Sequence, residues 1–364
     1  MTDRSISLLS VVLLAGGGCV AASDSVDTAV FAIKNCTAEQ GQLLVDEGRY
    51  ADAVREFTCV IGAQPTEVEG YRGRIEAELL LGRFSDAVSD YGRVTALVLP
   101  VHADAASTIL AGYADRLALA PENIPALTGA SFARWWFFQY AQGIQLLDQL
   151  LDVQPDDVYG NLFRGSSRLL LGATPAAGVA DLERAIELAP TSADVRYVVA
   201  DAYTYGQPDP DRAFAEATFA LNGGLDTPRV HAILAGAQLA FGELVAAATH
   251  IEHHIDLVTT ELVTASPLAA GASLALDLVP GRTYELPIPA IAGETISITT
   301  GPSVEIWDTI AVLLAPDGSP VVGSDDAKQY YAAFDWVATA TGTYRLHVTS
   351  FESVGTGALP VTRR

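Results

Sequence analysis

Few residues in this 364-residue sequence have both the type and the spacing to do chemistry. In "THIEHHID", His250 and His254 stand one helical turn apart, with Glu252 and His253 between them. Two imidazoles on one helix face can hold zinc or another transition metal, but this is not the H-E-x-x-H order of a metalloprotease. Packing at a helix end is the alternative. Asp308, Asp317, Asp325 and Asp326 cluster near turn-forming residues and offer the hard oxygen ligands that calcium takes. Solvated, turn-forming carboxylates are the alternative there, since "PDGS" around Asp317 is an ordinary turn. The densest aromatic run is "FARWWFFQY", Phe132 to Tyr140.

Catalysis finds little support. "RGSSRLLLG" is not a nucleophile elbow, no glycine-rich phosphate loop follows a strand, and no Cys/His nucleophile pair is suggested. A non-enzymatic protein that requires no cofactor is expected, with calcium as the candidate ligand of the four aspartates. The formal charge is −23, from 44 acidic against 21 basic residues. Nucleic acid and anionic lipid headgroups need clustered Lys and Arg, so both are excluded as partners.

The elements that must position these residues recur. "RLALAP", "LDQLLDVQP" and "LERAIELAP" end at Pro121, Pro155 and Pro190, 34 and 35 residues apart, the period of a helix–turn–helix repeat. Within these units Gly143 is followed four positions on by Leu147, and Gly178 by Leu182. Further towards the N-terminus, Gly48, Ala53 and Phe57 recur 34 residues later as Gly82, Ala87 and Tyr91. A small residue lets two helices approach and the bulky one fills the gap. Ala213 with Ala217, and Ala247 with Ile251, hold the same places further on. This pattern resembles the tetratricopeptide repeat. The resemblance implies a stacked array over residues 34–260, six repeats plus one unpaired helix at 102–120 that ends like a second helix but has no first.

On the spacing of that repeat, Phe132, Trp135 and Trp136 fall on the groove-lining side of a first helix, while Phe137 and Phe138 pack between helices. Exposed groove aromatics would anchor a peptide; burial in the core is the alternative. Arg72, Glu76, Arg164 and Arg229 are further groove candidates.

At the N-terminus, Arg4 precedes an apolar run from Ile6 to Ala15 and then small residues, the layout of a secretory signal peptide over residues 1–22. Cleavage after Ala22 would release a soluble chain. In the alternative, "GGGC" resembles a bacterial lipobox, and Cys19 would carry a lipid that anchors the chain to a membrane. Either route leaves Cys36 and Cys59, an even pair that reads as a disulfide in an exported chain. Two buried free thiols are the alternative.

After a linker at 261–271 the spacing changes to alternation. "SLALDLV", "RTYELPIP", "ETISITT", "IWDTIAVLLA", "FDWVATA", "TYRLHVTS" and "ALPVTRR" read as strands of a β-sandwich over 272–364. From Ser266 to Arg364 the string "GETISITT … WDTIAVLLAPDGSPVVGSDD … ATGTYRLHV" resembles the bacterial pre-peptidase C-terminal domain, a jelly-roll-like module of exported proteins, some members of which bind calcium.

The expected fold is therefore multidomain α + β, an N-terminal α-solenoid followed by an all-β sandwich. The expected function is that of an exported scaffold binding a protein or peptide in its repeat groove. Two alternatives stand beside it. In one, the sandwich binds carbohydrate or matrix with the repeats as spacer; in the other, an envelope lipoprotein assists protein assembly.

Overall fold

The computed structural model describes residues 36–65, 68–81, 83, 86, 87, 90, 102–172, 174–279, 281–301, 309–324, 331–350 and 357–364. The signal segment, Cys19, Gly82, Tyr91, Asp308, Asp325 and Asp326 lie outside the described residues.

Twelve helices come first among the described residues: α1 (Ala38–Asp46), α2 (Tyr50–Ala63), α3 (Val68–Leu80), α4 (His102–Leu119), α5 (Ile124–Trp136), α6 (Tyr140–Val153), α7 (Val158–Leu171), α8 (Pro175–Leu188), α9 (Ala193–Tyr205), α10 (Pro210–Asn222), α11 (Pro228–Phe241) and α12 (Leu244–Val258). Their starts are set locally. The side chains of Thr37, Asn123, Asp157, Ser192, Asp209 and Thr227 each accept a hydrogen bond from a backbone N–H of the first turn, satisfying a donor that the helix itself leaves open.

The helices pair as the 34-residue landmarks require. Ala53, Phe57, Ala87, Leu147, Leu182, Ala213, Ala217, Ala247 and Ile251 are all buried. At the α7–α8 crossing a Cβ on Gly165 would lie 2.8 Å from the Gly178 carbonyl oxygen, so only glycine permits that approach. Consecutive first helices, α1, α3, α5, α7, α9 and α11, also touch one another and form a continuous row. Stacked repeats of this kind bury a shared core and present that row as a long face.

Turns between paired helices need a left-handed residue, supplied by Gly48, Gly172 and Gly242. In the α5–α6 turn that place is taken by Phe138, at φ 57°. The backbone there aims its ring outward, 79% exposed, whereas the repeat spacing had put it between helices. Phe138 is the one non-glycine residue with positive φ among the described residues.

Nine strands follow among the described residues: β1 (Glu261–Thr264), β2 (Ser273–Leu278), β3 (Arg282–Ala290), β4 (Thr295–Thr300), β5 (Thr309–Leu314), β6 (Pro320–Ser324), β7 (Ala333–Val337), β8 (Gly342–Ser350) and β9 (Gly357–Arg363). They form two sheets, β1-β3-β8-β5-β6 and β2-β9-β4-β7. Leu286, Ile288, Ile296, Ile298, Tyr344, Leu346, Leu359 and Val361 fill the space between them. Two strands lie where none was expected. The segment read as a linker supplies β1, which pairs in parallel with β3, Glu261 opposite Arg282 through Thr264 opposite Glu285. Leu268, farther along that segment, is buried in the sandwich. Pro320–Ser324 forms β6, an edge strand returning from the "PDGS" turn along β5.

Array and sandwich are packed together. Ala248, Ile251 and Ile255 of α12, with Ala235 of α11, close a cluster against Ile310, Val312 and Leu314 of β5. At its polar margin Glu252 accepts from His347 Nδ1 at 3.1 Å, while His347 Nε2 reaches Glu285 at 3.2 Å. Burial disfavours a charge on this imidazole, but the two carboxylates more than offset that and hold its pKa above the ordinary value.

Candidate functional site

The row of first helices is covered by α4 at one end and meets the sandwich at the other. Helix α4, expected to be unpaired, lies across it. Arg116 donates to both carboxylate oxygens of Glu76 in α3, at 2.7 and 2.8 Å, and to Asp46 at the end of α1, at 2.9 Å. Gly112 stands against the Arg72 guanidinium and Tyr113 packs over Gly129 of α5. One helix thus touches three successive first helices.

This placement decides the fate of the expected groove residues. Glu76 is fully buried beneath α4, and burial pushes its carboxyl above the ordinary range while Arg116 pulls it back. Arg72 pairs with Glu69 at 2.5 Å and sits 5.4 Å from the Tyr113 ring centre. Phe132 and Trp135 lie in the core, not on an open groove wall. Their rings pack 5.1 and 5.2 Å from Phe163 of α7, and Trp135 Nε1 donates to Ser166 Oγ at 3.0 Å. Trp136 is half-buried against the same cluster. Neighbouring first helices stand so close that bulky side chains on their facing sides interlock. Arg164 is held by Asp148 at 2.9 Å and by both oxygens of Asp181, at 2.9 and 2.7 Å, and Arg229 by Asp201 at 3.0 Å.

The other end lies at α9 and α11. There Thr204, Tyr205, Ala232, Gly236, Leu239 and Leu244 meet β6 and β7 around a cavity of about 500 Å³. Val322, Gly323 and Ser324 belong to β6, which ends one sheet; Ala333, Phe334 and Asp335 belong to β7, which ends the other. Tyr205 and Leu244 are exposed, and the Arg229 guanidinium lies 4.6 Å from the Tyr205 ring centre. Gly236 sits inside α11, where glycine costs about 1 kcal/mol against alanine, and a Cβ there would meet nothing within 4 Å. Helix packing does not demand this glycine. It keeps the cavity floor open to backbone approach. The sequence carried a signal for this site in Gly236 and Tyr205, but not for the strands that close it.

His250 and His254, the candidate metal pair with packing as the alternative, turn to different partners. His254 is buried and turns Nδ1 to the Pro228 carbonyl oxygen at 2.8 Å, and Glu252 is engaged by His347. Instead His253 faces Asp226, from the α10–α11 turn, and His231, from the first turn of α11. His231 Nε2 lies 2.8 Å from Asp226 Oδ1 and His253 Nε2 3.3 Å from it. On the other side of the His231 ring, Nδ1 is 2.7 Å from His250 Nδ1. Burial, then the neighbouring histidines, lowers the His250 pKa to about 4, and the bond from His231 holds Asp226 below its ordinary value. Of the four aspartates read as calcium ligands, Asp317 is described: it accepts from the Ser319 N–H and hydroxyl within its own turn. Cys36 and Cys59 form a disulfide, with Cα atoms 5.9 Å apart.

Comparison with known proteins places a tetratricopeptide-repeat family model on residues 39–107 and 139–193. No curated protein matches the chain. Among solved structures, a tetratricopeptide repeat protein from Parabacteroides merdae ATCC 43184 is 17% identical over 60% of this chain and 77% of its own, with a TM-score of 0.36. A thermophilic repeat protein of Thermus thermophilus is 21% identical over 57% of this chain and 100% of its own, with a TM-score of 0.34. The pre-peptidase C-terminal domain of a collagenase from Bacillus anthracis is 14% identical over 28% of this chain and 94% of its own, with a TM-score of 0.24. The match covers residues 39–107 and 139–193 as tetratricopeptide repeats, and the paired helices and buried small-and-bulky landmarks continue the same repeat-like arrangement along the array.

Proposed function

We propose that this chain is an exported interaction scaffold that takes a short apolar segment of a protein partner at the α9–α11 end of its row of first helices, beside the sandwich. Tetratricopeptide repeats generally mediate protein–protein interaction, which sets the class of activity. The observation that carries the finer reading is the cavity between α9, α11, β6 and β7. Its walls are mostly apolar, with Thr204, Ser324 and Asp335 among them, the outermost strands of two sheets flank it, and a glycine with open space at its Cβ position lines it. A segment bound there meets helix faces on one side and the outermost strands of the two sheets on the other, which suits an extended peptide. The covered end, under α4, is not offered to a partner in this arrangement.

The test uses peptides selected for binding to the full chain, measured by fluorescence anisotropy. A Cβ at Gly236 meets nothing within 4 Å, so Gly236→Trp sends a large ring into the cavity from an unobstructed position, whereas Gly236→Ala leaves it open and favours the helix. Binding is expected to weaken by about tenfold or more in the tryptophan variant, the loss of roughly 1.4 kcal/mol or more, and to be kept in the alanine variant. Equal affinity in all three proteins would remove the cavity from the proposal.

The Cys36–Cys59 disulfide supports export, because such bonds persist in oxidising compartments. An intact mass from the native host beginning at Ser23, or a lipid on Cys19, is the expected result; an unprocessed chain with free thiols would contradict it.

A further inference from the structure

The histidine cluster of the last repeat has the makings of a metal site. Among the described residues, Asp226, His231 and His253 bring three donor atoms within 4.8 Å of one another. They come from three separate places: the α10–α11 turn, the start of α11 and the middle of α12. Four ligands at about 2.0–2.1 Å around zinc stand about 3.4 Å apart when tetrahedral. His253 Nε2 and Asp226 Oδ1 already have that spacing, at 3.3 Å, and His231 Nε2 to Oδ1 needs to open from 2.8 Å.

The surroundings fit a ligand set better than they fit a chance contact. A carboxylate only accepts, so in the hydrogen-bonded state His231 donates from Nε2 to Asp226, and its Nδ1 accepts from His250. When Nε2 turns to a metal, the proton moves to Nδ1 and His250 becomes the acceptor. The His231–His250 contact is thereby the outer partner that fixes the ring and tautomer of a metal-bound imidazole. His231 is only 5% exposed, while Asp226 and His253 are 52% and 46% exposed, so the site has a fixed inner ligand and two that can close on an ion. It opens on a cavity of about 450 Å³ that leaves room for a water as the fourth ligand.

We propose that Asp226, His231 and His253 bind one divalent transition-metal ion of the zinc class, with His250 as the outer partner. Two imidazoles and one carboxylate favour such an ion over calcium or magnesium, which take oxygen ligands. The ion clasps the α10–α11 turn to α12. His253 adjoins Glu252, whose carboxylate holds His347 of the sandwich, so the clasp sits where the array carries its second body.

Cobalt(II) is the probe, added to the chelator-treated full chain and followed by its visible absorption and by calorimetry. One ion per chain with a tetrahedral spectrum and a raised melting temperature is expected. His253→Ala and Asp226→Asn should each weaken binding by more than about tenfold, at least the loss seen for outer partners of metal ligands, and abolish the tetrahedral spectrum. Both side chains are half-exposed, so the metal-free melting temperature of each variant should stay near that of the parent and show that it folds. Excess calcium should not displace the ion. Unchanged cobalt affinity in the variants, or displacement by calcium, would show that the acidic surface alone holds cations and would overturn the site.

Discussion

Glu76 shows how one buried group ties the array to α4. Its carboxylate is fully buried and is reached by Arg116 at both oxygens. Breaking such a pair by removing one partner leaves a charge without compensation and costs roughly 3–5 kcal/mol. Arg116→Ala is therefore expected to lower stability by about 3 kcal/mol at neutral pH. The pH dependence follows from the direction of the Glu76 shift. Burial raises its folded pKa above the unfolded value, so the folded chain binds the proton more tightly, and stability falls as pH rises through the folded pKa. Without Arg116 the main opposition to that rise is gone and only the Arg72 charge still counters it. The gap between variant and parent should be widest at neutral pH and should narrow as pH falls towards about 4, where the glutamate is protonated in both states. Denaturant titrations of both proteins across that range check this. A gap that does not change with pH would mean that Arg116 acts by packing alone.

At the scale of elements, the helix pairs follow from local rules and α4 does not. A small residue and its partner four positions on were enough to place α6, α8, α10 and α12 against their partners, with a closing proline after α6 and α8. In α4 the bulky residue and the closing proline recur, with Tyr113 eight residues before Pro121 as Phe57 is before Pro65, although Ile109 takes the small residue's place. Its side chains, however, meet Asp46, Glu76 and Gly129, all in or against the row of first helices. The pattern says that this helix has an apolar stripe to bury, and the stripe can be met by any helix offering a complement. The α5–α6 turn makes a related point. Sequence spacing put Phe138 inside, but the turn demands a left-handed residue there, and backbone geometry overrode the preference of the side chain.

For the whole molecule, the contact between α12 and β5 decides whether array and sandwich behave as one body. Ile251, Ile255, Ile310, Val312 and Leu314 share one buried cluster across that contact. Truncating a buried isoleucine to alanine costs roughly 2–5 kcal/mol. Ile251→Ala is expected to destabilise within that range, as read by chemical denaturation. Combined with Val312→Ala, its effect should depart from the sum of the two singles by about 0.5 kcal/mol or more, because the residues share one cavity. Strict additivity would place the two side chains in separate clusters. The metal clasp lies on the same helix, so ion binding and sandwich docking bear on the same α12 surface.

The sequence by itself determined the repeat. Its 34-residue period, its small-and-bulky landmarks and the later change to alternation are local patterns, and local patterns are what helix pairs and strands need. It also offered Cys36 and Cys59 as a pair, since two antiparallel helices bring those positions to one height. Only the tertiary structure decided which faces meet. It buried Phe132, Trp135 and Glu76, drew Glu261–Thr264 into a sheet as a parallel neighbour of β3, and made Pro320–Ser324 an edge strand. It also replaced the His250/His254 pair by Asp226, His231 and His253, which stand up to 27 residues apart. The physical reason is common to all of these. Periodicity records that a residue has a face to cover, whereas the partner that covers it is set by packing between elements distant in the chain, where no short-range spacing carries a trace.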